Sequence, residues 1–208
     1  MQDNPAVILA LFAAVCYLAW LWWQDYRAWR SGKPNPRAFP GATGARTSLI
    51  LLGVIGALLL VGLETAGEYA LGVSAQQSQI SALFLLAMLG AGFIEELIFR
   101  GYLFYDRKGP AVLWASVIFF SLIFALVHTQ YYTEVPEGAA WHAFEFRIDP
   151  QSSWTLCILF LNSIWFYALR FGFRNHNRSL LPCIAAHIAS NIGVFAVKLA
   201  QGHVTGWW

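Results

Sequence analysis

The sequence is poor in charged residues, and this scarcity argues against a soluble protein. Only 12% of its 208 residues are Asp, Glu, Lys or Arg, whereas a soluble domain usually carries about 25%. The charges that are present fall between long apolar runs, and the mean hydropathy is +0.54. No basic stripe follows a polar face, which argues against nucleic-acid binding. The composition therefore indicates an integral membrane protein.

Cysteine is also scarce. Cys16, Cys157 and Cys183 are far apart and lie in or beside apolar stretches, with no CxxC spacing. Neither a disulfide framework nor a thiolate metal site is therefore predicted.

The N-terminus lacks a basic segment and a small-residue cleavage site. We therefore expect the first apolar run to be a retained span and not a signal peptide.

Six apolar segments are long enough to cross a bilayer, whose core of about 30 Å needs about 20 helical residues. They are predicted at residues 6–24, 48–66, 79–105, 112–130, 153–172 and 179–200. The expected fold class is all-α, a polytopic transmembrane helical bundle of about six spans in one membrane domain. Tryptophans that end the first span and the chain are predicted to be interfacial anchors. These are Trp20, Trp22, Trp23, Trp207 and Trp208.

The loops alternate in basic content, which predicts their orientation. The loops after spans 1, 3 and 5 carry Arg27, Arg30, Lys33, Arg37, Arg46, Arg107, Lys108, Arg170, Arg174 and Arg178. The loops after spans 2 and 4 carry Glu64, Glu68, Glu134, Glu137, Glu145 and Asp149, against Arg147 alone. The protein is expected in the cell (inner) membrane. The positive-inside rule places the basic loops in the cytoplasm and both termini on the non-cytoplasmic side. Residues 34–44 are predicted to be a cytoplasmic linker, and residues 141–146, with His142, to lie along the outer surface.

Ionisable residues within spans cost about 2.5–3.5 kcal/mol each on insertion scales, so a span that holds several usually needs them. Span 3 carries Glu95, Glu96 and Arg100, and span 4 ends in His128. Span 6 carries a further polar pair, His187 and Asn191. Such groups need a shared cavity lined by protein.

Helical spacing relates these residues to one another. Glu96 and Arg100 are four residues apart and can pair on one face. Glu95 is rotated by about 100° from Glu96, so both carboxylates cannot pair equally well with one arginine. His187 and Asn191, and likewise Phe124 and His128, repeat the four-residue spacing on their own helices. Each pair alone is also compatible with a structural clamp or an interhelical hydrogen-bond patch.

The three motifs in this order resemble a known family. Glu95-Glu96-x-x-x-Arg100, Phe124-x-x-x-His128 and His187-x-x-x-Asn191 are similar to the motifs of the CPBP family. These are the CAAX-processing and bacteriocin-processing intramembrane proteases, also called Abi or Rce1-like. The resemblance covers residues 79–200, while residues 1–78 form two accessory spans and the linker.

The resemblance implies that the protein is a glutamic-type intramembrane protease without a cofactor. Glu95 would be the general base that activates water, and His128 would assist it or position that water. His187 and Asn191 would stabilise the oxyanion. Glu96 and Arg100 would support the site, Glu96 would also share the proton chemistry, and Phe124 would pack the site. The expected partners are a lipid bilayer and a protein or peptide substrate with a hydrophobic segment. Cleavage is expected near the C-terminal region of a membrane-associated or exported precursor.

Three alternatives stay open at the level of sequence. A zinc peptidase could use His128, His187 and Glu96 as ligands, although the chain has no HExxH motif. A non-catalytic immunity or scaffold protein could retain the same motifs for binding. A proton-coupled transporter could also use buried Glu and His, but no internal repeat is visible.

Overall fold

The structure is a computed structural model that describes residues 4–128 and 149–207. Within these ranges its regular elements are helices. They are α1 (Pro5–Arg30), α2 (Thr47–Ala70), α3 (Phe84–Glu95), which continues as a π-helical turn (Glu96–Arg100), α4 (Pro110–His128), α5 (Pro150–Phe171), α6 (Leu181–Ala200) and a 3-10 turn (Ser74–Gln76). The predicted all-α fold class is therefore confirmed.

Five of the described helices are long and apolar enough to cross a membrane, namely α1, α2, α4, α5 and α6. α3 and its π-helical turn form one continuous helical segment over residues 84–102. The architecture thus agrees with about six spans. Positions 129–130 of the predicted fourth span lie outside the described residues, as do His142, the 141–146 stretch and Trp208.

The described helices differ from their predicted limits, α1 and α3 by the most residues. α1 continues beyond residue 24 to Arg30, because helical hydrogen bonding does not stop where the apolar run stops. α3 begins at Phe84 and not at residue 79, because the preceding residues pair with the C-terminal segment instead. Ile80 N–H donates to the His203 carbonyl at 3.0 Å, and Leu83 N–H donates to the Trp207 carbonyl at 3.0 Å.

Local sequence signals explain where two helices begin. Asn4 caps α1, its side-chain oxygen accepting a hydrogen bond from Ala6 N–H at 3.0 Å. Asp149 caps α5 by accepting from Ser152 N–H at 2.8 Å. Each cap is followed by a proline at the first helical position. Proline is favoured there because its missing N–H would have no helical partner.

The helices pack so that α6 lies at the centre of the contacts. It lies along α2 and touches α3 and α5, while α4 packs on α5 and α1 on α3. Small residues permit the close approach. A side chain at Gly92 would lie 3.0–3.3 Å from Ile188 atoms of α6, backbone included. Close packing through small residues is the usual way in which membrane helices associate.

The described loops gather at two ends of the bundle. At one, which we call the basic end, loops 31–46, 103–109 and 172–180 meet: Leu180 N–H donates to the Gly41 carbonyl at 3.0 Å, and Arg178 pairs with Asp106. The hydrogen bond from Arg178 holds the pKa of the Asp106 carboxyl group below its usual range. At the other, the acidic end, residues 71–83 meet 149–151 and 201–207, as where Gln151 donates to the Gln76 carbonyl at 3.2 Å.

One predicted interfacial anchor faces the protein interior instead. Trp22 is only 3% exposed, packs edge-on against Phe93 and donates its indole N–H to the Pro40 carbonyl at 3.2 Å. The prediction was wrong for this residue because α1 turns the Trp22 face toward α3. Trp20 and Trp23 are exposed, as an interfacial position requires.

Candidate active site

The ionisable side chains of three helices meet at one place. Glu95 and Glu96 come from the junction of α3 with its π-helical turn, His128 from the end of α4, and His187 from α6. Glu96 is fully buried and His187 nearly so, whereas the Glu95 side chain remains 23% exposed and that of His128 30% exposed. The sequence motifs therefore converge in space, as their placement within apolar spans requires.

Glu96 is the inner carboxylate of the site. Its Oε1 accepts a hydrogen bond from Arg100 Nη1 at 3.0 Å and lies 2.8 Å from His187 Nδ1. The pairing with Arg100 that the spacing predicts is thus present. A carboxylate oxygen that accepts two strong bonds in the interior is held in one orientation. These contacts leave Glu96 as a support for its neighbours.

Arg100 is fully buried and is held by both of its terminal nitrogens. Its Nη2 donates to Ser163 Oγ at 2.7 Å, and that hydroxyl donates to Ser121 Oγ at 3.0 Å. Aromatic rings surround the guanidinium, whose carbon lies 4.5 Å from the Phe124 ring centre and 4.9 Å from that of Tyr167. Cation–π contacts and the Glu96 carboxylate together offset the cost of burying the charge.

Glu95 is the outer carboxylate and contacts both histidines. Its Oε2 lies 3.1 Å from His128 Nε2 and 3.8 Å from His187 Nε2. His128 Nδ1 lies 2.6 Å from the Phe124 carbonyl, which can only accept, so Nδ1 carries a hydrogen. The contact between Glu95 and His128 then needs one further proton, which sits on Nε2 or on the carboxyl group. The two side chains share that proton.

The tautomer of His187 follows from the same reasoning. Its Nδ1 donates to Glu96, so in the neutral ring Nε2 is free to accept and faces Glu95. The ring also stacks on Phe166, with centres 5.0 Å apart and planes 22° apart. The carboxylate and the ring together fix the imidazole, as an orienting acid does in other catalytic sites.

Phe124 and Asn191 complete the set of predicted site residues. Phe124 is 2% exposed and its ring lies 4.3 Å from that of His128 and 6.2 Å from that of His187. Asn191 lies one turn beyond His187, and its amide donates to the Met88 carbonyl at 2.7 Å. Because the amide nitrogen has two hydrogens, one remains for a further acceptor.

Three residues of the site were missed by the sequence analysis, namely Ser121, Ser163 and Tyr167. The serines extend the Arg100 network. The Tyr167 hydroxyl lies 2.9 Å from the Phe99 carbonyl and 2.7 Å from the Leu103 carbonyl, beside the π-helical turn. Serine and tyrosine are tolerated in apolar helices without any site, so their presence in spans 4 and 5 gave no distinctive signal.

The π-helical turn was not predicted either. It begins at Glu96 and closes with Gly101 N–H donating to the Glu96 carbonyl, five residues back. Such turns are frequently found at functional sites. Here the turn begins directly after Glu95. Glu95 contacts His128 of α4, whereas Glu96, the first residue of the turn, contacts Arg100 and His187.

The metal ligand set proposed from the sequence fits the observed geometry poorly. Glu96 Oε1 is occupied by Arg100 and His187, and His128 contacts Glu95 instead. Within residues 4–128 and 149–207, no three His, Cys, Asp or Glu side chains form a group that could hold a metal ion. Any zinc would have to displace these hydrogen bonds.

Comparison with known proteins gives one match. A family model described as type II CAAX prenyl endopeptidase Rce1-like matches residues 77–193, which is more than half of the chain. The matched range includes α3 with its π-helical turn, α4, α5 and the part of α6 that carries His187 and Asn191. No curated protein and no solved structure matches.

Proposed function

Because the chain belongs to the Rce1-like family of CAAX-type membrane proteases, we propose that it is an intramembrane endopeptidase in which Glu95 activates the hydrolytic water. The observation that carries the assignment to Glu95 is the difference between the two carboxylates. Glu96 is fully buried and its Oε1 contacts both Arg100 and His187, whereas Glu95 is partly exposed and lies 3.1 Å from His128 Nε2. A general base must reach water and return the proton that it takes.

The reaction begins with a water molecule hydrogen-bonded to Glu95. As the water oxygen attacks the peptide carbonyl carbon, its proton passes to the Glu95 carboxylate. The tetrahedral intermediate then collapses, the C–N bond breaks, and the nitrogen leaves with the proton that Glu95 held. His128 stabilises each protonation state of Glu95 through the 3.1 Å contact. Atoms and charges balance without any further reagent.

Negative charge on the carbonyl oxygen needs donors during this step. Asn191 has one amide hydrogen that does not bind Met88. His187 Nε2 faces Glu95 at 3.8 Å, so the proton that Glu95 takes from water can pass to Nε2, be donated to the oxyanion, and return to Glu95 before the nitrogen leaves. Removing one oxyanion donor typically lowers kcat by about 10²–10³-fold.

The substrate class follows from the surroundings of the site. A site among membrane helices accepts a peptide bond in or next to a hydrophobic segment. The matched family description names a CAAX prenyl endopeptidase, and cleavage near the C-terminal region of a membrane-associated or exported precursor fits that description. The lipid bilayer and the precursor are the partners that we propose.

The experiment compares wild type with Glu95→Gln and Glu96→Gln on precursors that have a hydrophobic C-terminal helix and are encoded near the gene. We expect Glu95→Gln to lower the cleavage rate by about 10²–10⁴-fold while the protein keeps its thermal unfolding temperature. Processing by Glu95→Gln at the wild-type rate would remove Glu95 from the catalytic role.

A zinc-dependent protease is the second candidate, and it is distinguished by its metal content. We propose that the reaction uses no cofactor, since Glu96 is already held by Arg100 and His187. Purified protein should then contain zinc well below one equivalent, and chelator should leave cleavage unchanged. Stoichiometric zinc, with activity lost on chelation and restored by zinc, would establish the alternative.

A binding role without catalysis would instead leave the cellular phenotype intact in Glu95→Gln.

A further inference from the structure

A cavity of about 390 Å³ lies between His128 and the acidic end of the bundle. Its walls come from α2, α5 and α6, and from the short segment that follows α2. His128 is the one residue of the predicted site that lines it. The cavity therefore adjoins the candidate active site on the side opposite the three basic loops.

Two of its charged side chains are held by neighbours. Glu68 accepts a hydrogen bond from Gln77. Lys198 donates to the Ser78 carbonyl at 2.8 Å, with Ser78 Oγ at 3.4 Å. Both charges thus belong to the wall of the cavity.

Glu64 differs from these two. Its carboxylate lines the same cavity. Among the described residues, no donor forms a hydrogen bond with this carboxylate. Its backbone is anchored, because the Trp154 indole N–H donates to the Glu64 carbonyl at 3.0 Å. Glu64 thus presents an acceptor to the cavity from a fixed position. Carboxylates away from bulk water interact strongly with hydrogen-bond donors and cations.

The charges in the cavity select the kind of group that it would bind. Among the described residues that line the cavity, two carboxylates, Glu64 and Glu68, face one ammonium, that of Lys198. An anionic ligand would meet an excess of like charge, whereas a cationic one would complete the pairing. A peptide bond held at Glu95 and His128 would place nearby substrate side chains in this cavity.

We propose that the cavity binds a lysine or arginine side chain of the substrate and that Glu64 is the residue that selects it. The inference rests on the proposed peptidase function and gives the substrate a basic residue on the acidic-end side of its cleavage site. The hydrophobic segment of the substrate lies in the bilayer, while the basic residue reaches the polar cavity.

The test uses the full chain in nanodiscs and matched fluorogenic hydrophobic peptides. Each peptide carries one lysine, placed at successive positions, and is paired with a peptide that has norleucine at that position. At one position we expect kcat/KM to be roughly ten- to a hundredfold higher for the lysine peptide than for the norleucine peptide. A single charge-assisted hydrogen bond accounts for a ratio of this size. Glu64→Gln should bring this ratio close to one, and Glu64→Lys should favour glutamate instead.

Two further variants act as controls. Lys198→Gln removes the opposing charge and should raise the lysine preference, whereas Tyr69→Phe, which does not line the cavity, should leave it unchanged. A wild-type enzyme without preference at any position would overturn the inference, and so would the same preference in Glu64→Gln.

Binding separates this inference from the proposed function. The same peptides are titrated against Glu95→Gln and against the Glu95→Gln/Glu64→Gln double variant by fluorescence anisotropy. We expect tighter binding of the lysine peptide to the single variant only. If wild type cleaves none of the peptides, the peptidase function fails, and this binding difference still decides the role of Glu64. Equal binding of lysine and norleucine peptides by Glu95→Gln would refute that role.

Discussion

Glu96 Oε1 lies 2.8 Å from His187 Nδ1, and this contact joins α3 to α6 at the centre of the site. The same oxygen accepts from Arg100, so the inner carboxylate is committed to two partners. The outer carboxylate, Glu95, faces the partly exposed His128. Two adjacent residues of one type thereby occupy unlike environments, and we expect unlike effects when each is replaced.

The ion pair of Glu96 and Arg100 predicts a large loss of stability when only one partner is removed. Arg100→Met should lower the free energy of unfolding by about 3–5 kcal/mol, because a buried carboxylate is left without its cation. The Arg100→Met/Glu96→Gln double variant should recover part of the loss. Unfolding in mixed detergent–SDS micelles measures both. Arg27→Met, at an exposed position, serves as the control, and a loss below about 1 kcal/mol for Arg100→Met would contradict the prediction.

His128 is expected to exchange a proton with Glu95, and amide substitutions that keep one contact each test this. Asparagine keeps a donor near Nδ1 for the Phe124 carbonyl, whereas glutamine keeps an amide near Nε2, which faces Glu95. Neither amide exchanges a proton, so we expect both variants to lower kcat by about 10²-fold with a smaller change in KM. Steady-state kinetics decide this. Wild-type kcat in His128→Asn would show that the Glu95 contact is not needed for the chemistry.

Tyr167 predicts a link between the π-helical turn and activity. Its hydroxyl lies within hydrogen-bond distance of the Phe99 and Leu103 carbonyls, so Tyr167→Phe should destabilise the fold by about 1–2 kcal/mol. We also expect a lower kcat, because the turn carries Glu96, which contacts His187. Tyr105→Phe, at an exposed tyrosine near the basic end, is the matched control. Unchanged stability and kcat in Tyr167→Phe would assign the hydroxyl no role in holding the turn.

The orientation of the bundle is tested by reporter fusions. The positive-inside rule predicts that the basic end is cytoplasmic and that both termini are outside. A C-terminal alkaline phosphatase fusion should therefore be active in a bacterial host. A green fluorescent protein inserted after Lys108 should fluoresce from the cytoplasmic side. The reverse pattern would place the cavity beside Glu64 on the cytoplasmic face.

Much of the architecture could be predicted because a bilayer restricts the possibilities. Spans of about 20 apolar residues must be helices, since backbone groups find no water in the membrane core. The grouping of the loops into two ends follows, because successive spans alternate in direction. The Glu96–Arg100 pair was also predictable, since a spacing of four residues places both on one helix face. The limits of α1 and α3 were less accurate, because hydropathy does not record where backbone hydrogen bonds end.

The amino-acid sequence by itself determined the all-helical class, the family and which costly residues must share a cavity, because burying each in lipid alone would be unfavourable. Only the tertiary structure decided which partner each of them has. His128 meets Glu95, His187 meets Glu96, and Ser163 and Tyr167 enter the site from α5. These pairings depend on the rotation and depth of helices that are distant in the chain, and on a π-helical turn for which the residue spacing offers no signal.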